Sequence, residues 1–454
     1  MNEQKTLMTE GNIWKILIRF AIPLFLGNMF QQLYNAVDAL VVGNFCGNDA
    51  LAAVSSSGSL SHLLIGFFQG VFIGASVIIS HCYGAGDKKG VEKTVHTTIG
   101  FAVIAGVLLS IFSVCMTPII LRWMGTPENV MPNSVTYFRI YSMGILGLVL
   151  YNTTNGIFQA LGDSRRPLYY LIFSSVVNLI LDLLFVAVFD MGVAGAAFAT
   201  IIGQSLSAIL GLLHLMSGKF LVKVDLKKIR PDFSILKQVI GLGLPSGVQN
   251  CVTAIANLVV QTNINAFGDL AMAGCGSYAK IQGFVFLPIM SITMAMTTFV
   301  GQNLGAQKID RVKNCMKKGT FLTVVIAELF GIFVYVFAPG LIGIFSPEAE
   351  VVAFGVRQAR TDSLFYCLLA FSHCGAAILR GAGKTFASMA VFLGDWCLIR
   401  ITYITLMVRL IPDIRVVFSA YPLTWLISTI IFTILLIKGD WIKKSEINRI
   451  VKIK

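Results

Sequence analysis

About a dozen runs of roughly 20 to 30 mainly apolar residues make up most of this chain. Each run is long enough to cross a hydrocarbon core of about 30 Å. Because lipid offers the backbone no hydrogen bonds, we expect each run to form an α-helix. With 56% apolar and only 13% charged residues, the composition excludes an ordinary soluble protein. The predicted spans are 14–43, 52–80, 94–121, 136–161, 168–189, 193–216, 236–267, 273–301, 316–345, 352–380, 386–410 and 417–437.

An internal repeat limits the architecture further. Three matching pairs lie about 221 residues apart: 83–87 with 303–307, Gly162-Asp163 with Gly383-Lys384, and Pro23 with Pro245. Two copies of one bundle in a membrane protein are typical of a transporter with a site between its halves. We therefore predict an all-α membrane protein with twelve transmembrane helices, arranged as two six-helix bundles related by pseudo-two-fold symmetry.

The long polar stretch in mid-chain predicts where the two bundles are joined. The predicted domains are an N-terminal bundle (1–217), a cytoplasmic linker (218–232) and a C-terminal bundle with a basic tail (233–454). Lys and Arg concentrate in alternate connections, and the positive-inside rule then places both termini in the cytoplasm. We expect a multi-pass protein of the cytoplasmic (inner) membrane, whose net charge of +13 reports topology and adds attraction to anionic lipid.

Several function classes are excluded by the same features. Because the basic residues follow topology, no nucleic-acid partner is expected. The nine cysteines are scattered without CxxC spacing and predict neither disulfides nor a metal site. The glycine-rich segments 84–87 and 380–384 lack the GxxxxGK[ST] pattern, so we interpret them as helix-capping turns and not as an ATP site. The sequence shows neither paired histidines nor a nucleophile with a neighbouring base, so we do not expect an enzyme. We expect no cofactor beyond a coupling ion.

A polar stripe in the first span is the best candidate for chemistry. Gln31, Asn35 and Asp38 share one helix face at offsets that bring them together. Such a face should point inward, because exposing it to lipid costs several kcal/mol. In the second copy Asn257 matches Asn35, but Val260 stands where the first copy has Asp38. An acid that is present in just one of the two copies is better explained by an ion site than by a role in a symmetric scaffold. The alternative is a protonated aspartic acid that forms hydrogen bonds within the bundle and binds no ion.

Polar residues on the fifth and sixth spans extend this candidate site. Asn178 precedes Asp182 by one turn, and Ala196 precedes Thr200 by one turn. A cation site needs roughly five or six oxygens. Here they would come from the carboxylates, an amide carbonyl, a hydroxyl and a free backbone carbonyl. Two carboxylates close together in a low dielectric do not both ionise readily. The cluster therefore suits a proton or Na⁺, and the two ions should compete.

Acids in the second half are weaker candidates. Glu328 and Asp362 fall within spans and are interpreted as possible cavity-lining groups, with a structural role as the alternative. Asp395 lies near the end of a predicted span, and we expect it to be solvated. Gln31, Asn35, Asn257 and Asp362 are the polar residues that we expect to line a cleft. Pro23 removes one backbone hydrogen bond and is the predicted hinge of the first helix.

The chain resembles the multidrug and toxic compound extrusion (MATE) transporters, in particular their bacterial branch, over essentially its whole length. The residues that carry the resemblance are Pro23, Gln31-Gln32-Leu33-Tyr34-Asn35-Ala36-Val37-Asp38, Ala50-Leu51-Ala52-Ala53-Val54, Gln159-Ala160-Leu161-Gly162-Asp163, Gly301-Gln302-Asn303-Leu304-Gly305-Ala306 and Arg380-Gly381-Ala382-Gly383.

The resemblance implies two V-shaped six-helix bundles that export amphipathic, often cationic aromatic compounds, driven by inward movement of protons or Na⁺. It implies a cation site formed by Asp38, Asn178, Asp182, the Ala196 carbonyl and Thr200, with Pro23 at the bending point of the first helix. We expect a monomer in the lipid bilayer that acts on small amphipathic molecules. The alternatives are a lipid-linked oligosaccharide flippase of the same superfamily and a receptor or scaffold without transport.

Overall fold

The structure is a computed structural model that describes residues 7–218 and 222–442. Side chains 48, 49, 51 and 55–65 are outside the description, as are the predicted basic tail beyond 442 and linker positions 219–221. The helices are α1 Ile13–Cys46, α2 Asn48–Gly84, α3 Lys88–Trp123, α4 Met131–Met143, α5 Ile145–Ala160, α6 Arg165–Asp182, α7 Gly192–Met216, α8 Phe233–Asn265, α9 Asp269–Gly305, α10 Ile309–Gly343, α11 Ala349–Asp362, α12 Tyr366–Gly381, α13 Thr385–Phe392, α14 Arg400–Leu410 and α15 Ile414–Lys438.

The described residues are almost entirely helical, as the apolar runs predict. They contain 11 helices long and apolar enough to cross a membrane, or 12 if one bent pair counts as a single span. That pair is α4 and α5, which the sequence predicted as one helix over 136–161 and which bend by 49° at Gly144. A Cβ at Gly144 would overlap the Ile201 side chain of α7. Glycine at this position therefore permits the close approach of α7.

Packing divides the chain into two compact units. The first unit contains 26–218 and 222–244, and the second contains 8–25 and 245–442. The divisions fall inside α1 and α8, close to Pro23 and at Pro245. These units are defined by contacts between residues, whereas the predicted domains 1–217, 218–232 and 233–454 are defined by the sequence repeat. The predicted domain division therefore stays a prediction.

Each unit buries polar groups inside and shows apolar side chains outside, which is the pattern that lipid favours. In the first unit α5 packs against α2, α3 and α7. In the second unit α9 packs against α10, α11 and α12 around buried aromatic rings such as Tyr278, Phe299 and Phe432. Large apolar side chains including Phe112 and Leu329 are exposed on spanning helices.

The glycine turns that the sequence predicted in 84–87 and 380–384 are confirmed. Gly86 and Gly383 follow helix ends with φ of +72° and +78°, and Gly162, for which no turn was predicted, does so with φ of +85°. In this left-handed conformation their amide groups continue the bonding of the preceding helix, for example Gly86 N–H to Tyr83 O at 3.1 Å. Gly86 lies two residues beyond the end of α2, and two residues beyond the end of α9 the second copy of the repeat has Gln307 with φ of +57°.

Candidate cation site

Five predicted site residues come together in the interior of the first unit. Asp38 lies on α1, Asn178 and Asp182 lie on the last turns of α6, and Ala196 and Thr200 lie on α7. All five are buried: their exposed fractions are 9%, 2%, 1%, 0% and 6%, respectively. The carboxyl groups of Asp38 and Asp182 lie within electrostatic reach of each other. The inward orientation expected for the Asp38 side chain is therefore what the structure has.

Local helix geometry holds the two α6 residues in place. Asp182 ends the α-helical part of α6 and is followed by a π-helical turn, Leu183–Val188. Such wider turns occur often at functional sites, because they shift side chains out of the regular helical register. On α7, a Cβ at Gly203 would lie 2.9 Å from Asn178 Cβ, so glycine lets α6 and α7 approach closely.

A short chain of hydrogen bonds joins α1 to α7 at the site. The Tyr34 hydroxyl donates to Thr200 Oγ1 at 3.3 Å, and the Thr200 hydroxyl donates to Ala196 O at 2.9 Å. The Thr200 side chain is thereby fixed in orientation, with an oxygen lone pair left for an ion. The Ala196 carbonyl that the resemblance implied as a ligand lies next to it.

Several polar atoms of the site are buried without a hydrogen-bond partner among the described residues. They are Asp38 Oδ1, both carboxylate oxygens of Asp182, and both amide atoms of Asn178. Each unsatisfied buried polar group costs about 1–3 kcal/mol, and charged groups cost more. A proton or Na⁺ bound between these oxygens would satisfy them, so the donor set fits a hard monovalent cation. No cluster of three His, Cys, Asp or Glu side chains that suits a transition metal occurs within 7–218 and 222–442.

Three tyrosines surround the pair of acids, and sequence reasoning did not identify them. The Tyr34 and Tyr137 hydroxyl groups lie within electrostatic reach of both site carboxyl groups, and Tyr141 lies within reach of these two tyrosines. Tyr137 and Tyr141 stack on each other one turn apart on α4, with ring centroids 6.2 Å apart. Tyr34 lies one turn before Asp38, a spacing that marks it as a neighbour. Nothing in the sequence brings α4 to the site.

Pro23 and the predicted cleft residues are placed as follows. Pro23 is buried within α1, which continues through it, just before α1 passes from the second unit to the first. Gln31 is half-buried and donates to Asn35 Oδ1 at 3.4 Å. Asn35 and Asn257 are exposed. The hinge and cleft roles of these residues stay predictions.

In the described part of the second unit, an apolar residue occupies the position that matches Asp38. Val260, the counterpart of Asp38, is 1% exposed within a wholly apolar cluster that includes Ile264 and Phe418. Glu328 Oε2 accepts the Cys367 N–H at 3.0 Å at the beginning of α12. This position is that of a helix-capping acid, the structural role that was one of its two interpretations.

A different group of charges lies buried in the second unit. Asp362 is fully buried at the end of α11. The expectation that Asp395 is solvated was wrong: it is 1% exposed, because a π-helical turn, Leu393–Ile399, holds it inside. Buried Arg400 lies within electrostatic reach of both acids, with Trp396 and Tyr421 on its faces. These acids therefore have a built-in counter-ion, which the Asp38 and Asp182 pair lacks among the described residues.

Comparison with known proteins settles the family. A sequence model described as MatE matches twice, at 23–184 and 245–406. The chain belongs to the MATE family of multidrug efflux transporters. The double match also confirms the repeat, since one match lies in each half of the chain. MATE proteins are transporters acting on small molecules in a membrane, and this chain is a multi-pass member.

Relatives and solved MATE structures extend this match over nearly the whole chain. A probable multidrug resistance protein of Bacillus subtilis (strain 168), YpnP, is 30% identical over 406 residues, covering 88% of this chain and 89% of that protein. The probable multidrug resistance protein NorM of Thermotoga maritima is 25% identical, covering 96% and 95%. An outward-facing multidrug resistance MATE transporter of the MOP superfamily has a similar fold, with a TM-score of 0.91 and 23% identity, covering 98% and 100%.

Proposed function

We propose that this MATE protein is an antiporter that exports amphipathic, often cationic aromatic compounds in exchange for protons or Na⁺. The coupling ion binds between Asp38 and Asp182. The observation that carries this proposal is the pair of neighbouring, buried carboxyl groups, three of whose four oxygens have no hydrogen-bond partner among the described residues. Uncompensated carboxylates in a low dielectric repel each other, so an incoming cation gains more free energy there than at a surface.

Each residue has a distinct task in the proposed cycle. Asp38 and Asp182 hold the cation, Asn178 supplies its amide oxygen, and Thr200 and the Ala196 carbonyl complete the oxygen shell. Because Asp38 lies on α1, the cation ties α1 to α6 and α7, whereas its release frees α1 to bend near Pro23. Binding and bending are then two states of one equilibrium, which the ion and the exported compound bias in opposite directions.

The proposed substrate class rests on the family and on the names of the relatives, two of which are called probable multidrug resistance proteins. For this chain we propose a monomer in the cytoplasmic (inner) membrane with both termini in the cytoplasm. The alternation of basic connections supports that orientation. Exposed Asn35 and Asn257 remain the proposed polar contacts of the exported compound.

The test is ethidium transport in inverted membrane vesicles, with an imposed proton or Na⁺ gradient. We expect uptake by the wild type and near-background uptake by Asp38→Asn, at equal protein levels. Glu350→Gln is the matched control, because it removes one exposed carboxylate on α11. Uptake by Asp38→Asn equal to that of the wild type would contradict the proposal. Gradient-independent behaviour of all variants would instead favour the flippase or a non-transporting receptor.

A further inference from the structure

A basic cavity in the first unit is lined by none of the residues of the candidate cation site. It has a volume of about 460 Å³ and lies between the first turns of α3 and the segment just before α8. Its charged lining residues are Lys89, Glu92, Lys93, Lys228, Arg230 and Asp232. Four cations and two anions give it a formal excess of two positive charges.

Internal ion pairs neutralise only part of this charge. Lys93 Nζ lies 2.9 Å from Asp232 Oδ2, and Lys228 Nζ lies 3.1 Å from Glu92 Oε1. The two remaining cations, Lys89 and Arg230, are exposed and make no ion pair with any described residue. The excess charge is therefore available to an anion from outside the chain.

The walls of the cavity are held by contacts that do not involve these two cations. His96 Nδ1 bonds Glu92 O at 2.7 Å, and its Nε2 accepts the Asp225 N–H at 3.0 Å. Thr97 Oγ1 accepts the Asp232 N–H at 3.3 Å. The cavity is thus preformed, and neutralising Lys89 or Arg230 should leave its backbone in place.

In the equivalent region of the second unit, the described cations Lys308 and Arg311 bond to the chain itself. There the segment before α1 lies against the beginning of α10. Lys308 Nζ donates to Thr9 O at 3.0 Å, while Arg311 donates to Gly11 O at 3.0 Å and to Met8 O at 3.2 Å. Backbone carbonyls satisfy these cations. The two copies of the repeat therefore differ: these basic residues of the second unit bond to the chain's own carbonyl groups, whereas Lys89 and Arg230 of the first unit make no ion pair within the described residues.

The neighbouring side chains indicate the depth of the cavity in the membrane. Leu226 is 61% exposed and Phe233 is 84% exposed, on either side of Lys228 and Arg230 in sequence. Large exposed apolar residues beside cations are typical of the boundary between hydrocarbon and headgroups. α3 and α8, which border the cavity, are both candidate spans.

We propose that this cavity binds the phosphate group of an anionic phospholipid headgroup. Lys89 and Arg230 contact the phosphate, and Leu226 and Phe233 contact the acyl chains beside it. The bound headgroup holds the linker against α3. The site is separate from the transport reaction, so it stands whether or not the cation site functions as proposed.

The test is native mass spectrometry of protein released from nanodiscs of phosphatidylcholine containing phosphatidylglycerol. We expect one tightly retained phosphatidylglycerol on the wild type and at least about tenfold less on the double variant Lys89→Gln/Arg230→Gln. The matched control is Lys317→Gln/Lys318→Gln, which removes two exposed lysines from α10 and should retain the lipid. A second arm titrates inorganic phosphate onto protein in phosphatidylcholine nanodiscs and should show no comparable binding.

Three results would overturn the proposal. They are wild-type retention by the double variant, equal loss in the control variant, and binding of inorganic phosphate as tight as that of phosphatidylglycerol. Unchanged thermal unfolding of both variants establishes that lipid loss does not reflect misfolding. If the double variant is unstable, the single variants Lys89→Gln and Arg230→Gln are measured, and each should weaken retention.

Discussion

At the scale of single residues, the proposed cation site is distinguished by the hydrogen bonds that its buried atoms lack. Asp182 and Asn178 expose almost nothing, yet none of their side-chain polar atoms has a hydrogen-bond partner among the described residues. A protein built only for stability would pair such groups or replace them, because unsatisfied buried polar atoms are costly. The cost is reasonable at a site where an ion must enter and leave.

The Tyr34 hydroxyl offers a subtle test of this site. Its hydrogen bond to Thr200 Oγ1 competes with an ion for the threonine oxygen. We expect Tyr34→Phe to change the apparent affinity for the coupling ion by about 2- to 10-fold, the effect of one hydrogen bond, while export continues. The measurement is initial export rate against ion concentration in proteoliposomes. An unchanged ion dependence would show that this bond does not orient Thr200 for the ion.

A residue far from the site tests the backbone argument. Gln307 has a left-handed conformation, with φ of +57°, at the position after α9 that Gly86 has after α2. We expect Gln307→Gly to raise the free energy of unfolding by about 1 kcal/mol, and Gly86→Ala to lower it by a similar amount. Denaturant unfolding in detergent micelles measures both changes. Equal stability of Gln307→Gly and the wild type would mean that the side chain of Gln307 compensates for its strain.

At the scale of helices, the close contact of α6 and α7 positions the site. Gly203 allows this contact, since an added Cβ would lie 2.9 Å from Asn178 Cβ and 3.3 Å from Ser174 O. The π-helical turn after Asp182 then directs the end of α6. Small displacements of these elements should therefore change ion coupling before they change folding.

The variant Gly203→Ala tests this prediction. The new methyl group forces α6 away from α7, at a cost of about 1–3 kcal/mol for an overpacked contact, and it displaces Asn178. We expect weaker ion-coupled export. Gly241→Ala on α8 is the control, because no atom lies within 4 Å of its added Cβ. The control variant should keep full export. An equal loss of export in both variants would show that the loss comes from replacing any helical glycine and not from the contact between α6 and α7.

At the scale of the whole chain, the segment before α8 fastens to α3 through the Lys93–Asp232 ion pair. The Lys93 hydrogen bond, aided by the Ile235 N–H, holds the pKa of Asp232 below its usual range. The stabilisation is therefore fully present above about pH 4, the ordinary pKa of an aspartate, and is lost as pH falls through the lowered value.

Hydrogen exchange of the segment 225–232 checks this pH dependence. After correction for intrinsic rates, we expect protection in the wild type to fall as the medium is acidified through the lowered pKa. Asp232→Asn should show weaker protection at neutral pH and no such fall. A parallel pH profile in both proteins would remove Asp232 as the titrating group.

Much of this architecture follows from the sequence because lipid imposes simple rules. Apolar run length predicted the spans, and helical spacing predicted that Asn178 and Asp182 share a face. Sequence reasoning did not find Tyr137 at the site, because that requires knowing how α4 packs. It also missed the burial of Asp395, since a π-helical turn is not visible in hydrophobic periodicity. The first turns of α1 belong to the second unit because of tertiary contacts, which the sequence pattern does not reveal.

The central claim is that one pair of acids in the first unit binds the coupling ion. Substrate-driven ion flux in proteoliposomes, with a proton gradient and a Na⁺ gradient imposed separately, tests it most directly. The account predicts flux of at least one ion in the wild type and in Asp362→Asn, and none in Asp38→Asn or Asp182→Asn. Flux that persists in Asp38→Asn, or that disappears only in Asp362→Asn, would contradict it.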